Sequence, residues 1–169
     1  MLSRRQLLGA SPAALPAALS GCLALSACSA PAVLKAPPAV SPQAQALLRA
    51  VSAEQDLVLL YDRVIAAHPA LGTALGPLRA EHSAHLAQLR GTVIEPPGKR
   101  LPGPSASQPV LGATQARVLV QLRGAEQDAV TALMGHLAGA PPSLAQLYAS
   151  IAASEATHVR VLSARMTAR

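Results

Sequence analysis

Apolar side chains recur every three or four positions in four runs of this chain, the spacing that keeps one face of a helix apolar. The runs cover about 42–67, 70–91, 113–138 and 143–166. The first seam reads Leu47, Val51, Glu54, Val58, Tyr61, Ile65, and the second Leu71, Leu75, Leu78, His82, His85, Leu89. The third reads Leu119, Arg123, Glu126, Val130, Leu133, Leu137, with Leu122 beside Arg123, and the fourth Leu144, Tyr148, Ile151, Glu155, His158, Leu162. Few stretches alternate as a strand would. The pattern predicts an all-α four-helix bundle occupying residues 41–167.

Local punctuation sets the element ends. Ser41-Pro42 supplies an N-cap followed by proline at the first helical position, and His68-Pro69 stops the first helix. Gly76-Pro77 predicts a kink in the second helix or its true start. Ser143 to Gln146 reads as a capping box opening the fourth helix. Residues 94–110 contain Pro96, Pro97, Pro102, Pro104 and Pro109 and cannot be helical. Seventeen residues can span roughly 55 Å, whereas a 25-residue helix is only about 37 Å long. The stretch is therefore a crossover able to join two helical hairpins end to end.

The two halves also repeat. Ala53-Glu54-Gln55-Asp56 returns 72 residues later as Ala125-Glu126-Gln127-Asp128. At an offset of 73, Leu71, His82 and His85 fall on Leu144, Glu155 and His158.

Each seam is interrupted near its middle by an acid or a histidine. Burying such groups among Leu, Val and Ala costs several kcal/mol unless they pair or bind a metal. In an antiparallel hairpin, residues equidistant from the turn lie level. Glu54 with His82 or His85 centres on His68-Pro69, and Glu126 with Glu155 or His158 centres on Ala140-Pro141-Pro142. The six side chains Glu54, His82, His85, Glu126, Glu155 and His158 should converge.

One Glu, then a Glu-x-x-His-like pair, then the same again resembles the ferritin-like superfamily. Its di-iron sites take a Glu from each of two helices and Glu-x-x-His from each of the other two. By that resemblance Glu54 and Glu126 match the single glutamates, and Glu155-Ala-Thr-His158 matches one full pair. The second helix departs from it with His82-Ser-Ala-His85, and Glu81 sits about 100° off the inward direction as a flank candidate. Imidazole in place of a bridging carboxylate neutralises two ferric ions less well, but suits one zinc or ferrous ion. It also weakens the case for oxygen activation at two irons. A metal-free hydrogen-bonded Glu–His network is the alternative.

The N-terminus reads as an address. Ser3-Arg4-Arg5-Gln6-Leu7-Leu8 resembles a twin-arginine export signal, followed by a weakly apolar stretch containing Pro12 and Pro16. Leu25-Ser26-Ala27-Cys28 looks like a bacterial lipobox, making residues 1–27 a signal peptide and Cys28 the lipid attachment point. Leu19-Ser20-Gly21-Cys22 fits the same pattern, so Cys22 is the alternative. Residues 28–40 then form a Pro/Ala tether. With this leader, Glu81-His82-Ser-Ala-His85 and Ser154-Glu155-Ala-Thr-His158, the chain is similar to actinobacterial twin-arginine-exported lipoproteins with a ferritin-like domain. That resemblance implies a lipid-anchored protein at the outer face of the bacterial cytoplasmic membrane, and no particular activity.

Composition narrows the partners. The net charge is +6, or +4 once the leader's two arginines are removed, and the basic residues are scattered. With Tyr61 and Tyr148 as the only aromatic residues of Phe, Tyr and Trp type, no nucleic-acid footprint is present. Both cysteines belong to the leader, so the folded domain has no disulfide or thiol chemistry. The expected partners are the membrane, through the lipid, and a transition metal, iron or zinc. A non-catalytic envelope protein docking a protein partner is the second expectation, and homo-oligomerisation stays open.

Overall fold

The computed structural model describes residues 40–94, 101 and 103–168 of the 169-residue chain. The leader, Cys22, Cys28 and the tether up to residue 39 lie outside the described residues, as do residues 95–100 and 102 of the crossover. The helices are α1 (Pro42–Ala67), α2 (Gly72–Thr92), α3 (Gln115–His136) and α4 (Pro142–Thr167), with 3₁₀ turns at Pro69–Leu71 and Leu137–Gly139. Among the described residues there is no strand, and no helix is long and apolar enough to cross a membrane.

The helix ends follow side-chain chemistry more closely than apolar spacing. Ser41 caps α1 by accepting a hydrogen bond from the Ala44 N–H at 3.1 Å, and Pro42 follows at the first position. Thr114, not residue 112, caps α3, accepting from the Arg117 N–H at 3.3 Å. The chain enters α3 past Gly112, where a Cβ would come within 2.6 Å of the Arg117 Cβ, so glycine is required for this close approach. The capping box expected at Ser143 does not form. Pro141 holds the cap position and α4 begins at Pro142, two residues too early for Ser143 to cap it. Gly76-Pro77 is not the start of the second helix either, because α2 opens at Gly72 and carries Pro77 inside it.

α1 packs chiefly on α2, and α3 on α4, while α1 also lies against α3. That double contact corrects two of the expected seams. On α1, Leu57, Leu60 and Val64 are buried while Val58 and Ile65 are only partly so. On α3, Leu122 and Ala129 are buried in place of Arg123 and Val130. A helix packed on two neighbours turns a broader face inward than a single heptad seam allows.

The crossover is pinned along α1. Ser105 donates to the Asp56 carboxylate through its backbone N–H (2.7 Å) and hydroxyl (2.5 Å), and the Gln108 amide adds a third bond at 2.9 Å. Further on, the Arg63 guanidinium donates to the Pro109 carbonyl at 3.0 Å. The strap thus follows α1 from the level of Asp56 to that of Arg63, a rise of about 10 Å. On the opposite flank, Arg79 of α2 grips Asp62 of α1 with two bonds at 2.9 and 3.0 Å.

Two apolar clusters fill the interior. One contains Tyr61, Val64, Leu75, Leu119, Leu122 and Leu162, and the other Leu47, Val51, Leu89, Leu133, Tyr148 and Ile151. Each fully buried leucine contributes roughly 1.5–3 kcal/mol. The two clusters can therefore carry the costly polar layer that separates them.

Candidate metal centre

All six residues expected to converge are buried at this level: Glu54, His82, His85, Glu126, Glu155 and His158. His82 is the hub. Its Nδ1 lies 2.9 Å from Glu54 Oε2 and its Nε2 2.8 Å from Glu126 Oε1, so one imidazole of α2 links the glutamates of α1 and α3. Its ring also lies 5.8 Å from that of His85 and 5.0 Å from that of His158, centroid to centroid.

A second histidine is held from outside. His158 Nε2 bonds Glu81 Oε2 at 2.9 Å, and the Ser154 hydroxyl donates to the same oxygen at 2.9 Å. Glu81 is half exposed and belongs to neither group of converging ligand atoms. Its place off the inward direction makes it a positioning partner. Occupying Nε2, it turns Nδ1 toward the centre, as outer carboxylates do for metal-binding histidines.

Tyr61 is a site residue that seam spacing alone leaves out, since it lies two turns from Glu54 on α1. It fills the core, and its hydroxyl also donates to Glu126 Oε1 at 2.5 Å. Helical side chains lean toward the helix N-terminus, which carries the Tyr61 ring back toward the level of Glu54. The same rule carries Tyr148 away from Glu155, and the Tyr148 hydroxyl is buried with no partner. The direction of the lean was legible in the sequence. Arg123 does not join the site, and its Nε finds no hydrogen-bond partner.

Electrostatics divides the layer in two. Burial alone would raise the Glu126 carboxyl, but the adjacent His158 and His82 imidazoles and the Tyr61 hydroxyl outweigh it and hold the pKa at about 2. Glu54 is likewise lowered, burial being outweighed by His82 and His85. Burial would depress His82, yet its bonds to Glu126 and Glu54 raise it to about 10, and His158 is raised by Glu126 and Glu81 against the same penalty. Glu155 is the exception. Burial, then the charges of Glu54 and Glu126, push its carboxyl up to about 9. In this ion-free layer Glu155 therefore carries a proton at neutral pH.

The unsatisfied atoms fall mainly on the Glu155 side. Glu54 Oε1, Glu155 Oε2 and His85 Nδ1 are buried without a hydrogen-bond partner, His85 Nδ1 lying 3.4 Å from Glu54 Oε1 but poorly aligned. Buried polar atoms are almost always paired, so three orphans in one place invite a cation. Glu54, His82, His85 and Glu155 each offer a ligand atom within 4.8 Å of the others. His82, Glu126 and His158 form a second such group. Glu126 Oε2 and His158 Nδ1 are also unpartnered there, with His158 Nδ1 3.3 Å from Glu126 Oε1 and off line for a bond. That half is nevertheless tied down by Tyr61, His82 and Glu81. The donor set of carboxylate and imidazole suits zinc or ferrous iron.

No protein-family model, curated protein or solved structure matches this chain.

Proposed function

We propose that the chain is a ferritin-like bundle of two helical hairpins that binds one divalent transition-metal ion, iron or zinc, through Glu54, His85 and Glu155. The N-terminal reading adds a lipid anchor at Cys28, or Cys22, and a location at the outer face of the bacterial cytoplasmic membrane. The observation that carries the metal reading is the coincidence of three buried, unpartnered ligand atoms at Glu54 Oε1, His85 Nδ1 and Glu155 Oε2.

The remaining residues have defined parts in this reading. His82 spends both nitrogens on Glu54 and Glu126, so it neutralises two carboxylates that a second ion would otherwise serve. This favours one ion over two. Glu81 orients His158, and Tyr61 fixes Glu126. A cation bound beside Glu155 would favour its ionised form, because a positive charge reverses the penalty of burying the carboxylate. Bound there, the ion would supply Lewis acidity and, if iron, redox capacity.

The alternative is a metal-free structural network in a non-catalytic envelope protein, favoured by the bonds that His82 makes to both Glu54 and Glu126. Metal analysis separates the two. The full-length chain, purified without chelator and reconstituted with Fe²⁺ or Zn²⁺, should hold one ion, and a Glu155→Ala/His85→Ala variant none. Absence of metal from the parent after reconstitution would sink the metal reading.

A further inference from the structure

A cavity of about 320 Å³ opens between α1 and α3 and ends at Glu54 and Glu155. Its walls are short and apolar, formed by Ala53, Ala129, Ala132 and Leu133. At its outer end stand Arg49 and His136, which it shares with a neighbouring hollow of about 200 Å³ lined by Tyr148.

The two ends differ in chemistry. Arg49 is exposed and forms no ion pair among the described residues. Burial, then the nearby Arg49 charge, holds His136 below the usual histidine range, leaving Arg49 as the cation of this mouth at neutral pH. The Tyr148 hydroxyl is fully buried and has no acceptor, while its ring lies 5.9 Å from that of His136. Arg49 is thus the cation at the outer end of the cleft, while Tyr148 lines only the neighbouring hollow. The walls beyond them offer nothing to bond a sugar or a base. At the inner end, Glu54 and Glu155 are buried and each carries an unpartnered oxygen.

We infer that this cleft is a binding pocket for a small carboxylate with a short apolar chain, its head held by Arg49 and its tail laid along the alanines toward Glu54 and Glu155. The inner end rests on the reading of Glu54 and Glu155 as metal ligands, and the outer end does not. The volume supports the size, lying at the lower limit of small-molecule pockets and well short of a nucleotide site. Along α1, Arg49 and Glu54 are about 7.5 Å apart in helical rise, a span that a chain of five or six carbons matches. In this arrangement the far end of the ligand is brought to the metal side of the layer, and its anionic head stays near solvent.

The test uses the full-length chain and four probes, hexanoate, acetate, hexylamine and hexanol, observed by ligand NMR at matched concentrations. Hexanoate should bind, with the amine and the alcohol at least tenfold weaker. Arg49→Gln should weaken hexanoate about tenfold. Ala132 faces solvent on one side, so Ala132→Leu should fold normally, abolish hexanoate binding and leave acetate binding intact. Equal binding of hexylamine, or indifference of hexanoate to both substitutions, overturns the proposal. Zinc stoichiometry measured on the same samples separates the two readings. Zinc bound without hexanoate overturns the pocket alone, and hexanoate bound without zinc overturns the metal site alone.

Discussion

Replacing Glu155 by glutamine should make the metal-free protein more stable while abolishing the proposed metal binding. Glu155 is buried beside the charges of Glu54 and Glu126, and its pKa is raised from 4.5 to about 9. Between these values the folded protein binds a proton that the unfolded chain does not, so stability from this group is present below pH 4.5 and is lost as pH rises toward 9. At about 1.4 kcal/mol per unit, holding the acid form at pH 7 costs about 3 kcal/mol relative to pH 4.5. Glutamine has the same shape, keeps a donor beside Glu54 as the protonated acid does, and needs no added proton. Urea unfolding of chelator-treated protein, followed by far-ultraviolet circular dichroism from pH 4.5 to 8, measures the difference. Glu155→Gln and parent should be nearly equal at pH 4.5, with the variant ahead by about 1–3 kcal/mol at pH 7. A difference that stays constant with pH, or a variant less stable at pH 7, would refute the assignment of the proton to Glu155. In the zinc-loaded parent the order should reverse, because the ion stabilises only a protein that can bind it.

Three further outcomes are expected. Tyr61→Phe removes a buried bond to the charged Glu126 and should lose about 1.5–3 kcal/mol by urea unfolding, whereas Tyr148→Phe should lose almost nothing. His82, raised from 6.5 to about 10, supports the fold fully below pH 6.5 and ceases to do so as pH rises through 10. Glu126, lowered to about 2, supports it above pH 4.5 and fails as pH falls through 2. The melting temperature of metal-free His82→Gln should accordingly show a shallower alkaline decline than the parent's, and an unchanged decline would place the titration elsewhere. Asp56→Ala releases three hydrogen bonds from the crossover. It should speed hydrogen exchange at Ser105 and neighbouring amides by about tenfold with a global loss of only about 1 kcal/mol.

The lean of Tyr61 and Tyr148 shows how much of the centre a sequence can hold. Their seam positions and helix direction sufficed to send one hydroxyl toward the glutamates and the other away. Likewise Glu54, His82, His85, Glu126, Glu155 and His158 could be placed at one depth, because depth in a helical pair depends only on distance from the turn. The helices and the proline-rich crossover were legible for a similar reason: periodicity and proline act locally. What lay beyond sequence was lateral and atomic. Whether Leu57 or Val58 faces inward depends on α3 and the strap lying beside α1, which no local pattern records. The choice of His82 as hub, the capture of His158 by Glu81, and the cleft left between Ala53 and Ala132 depend on interhelical spacing at the ångström scale. By itself, then, the chain determined that its acids and imidazoles meet in one buried layer. Only the packed helices decided which pairs are satisfied, which carboxyl keeps a proton, and which side is open to solvent. Hydrogen bonding and burial are properties of neighbours, and the neighbours come from other helices.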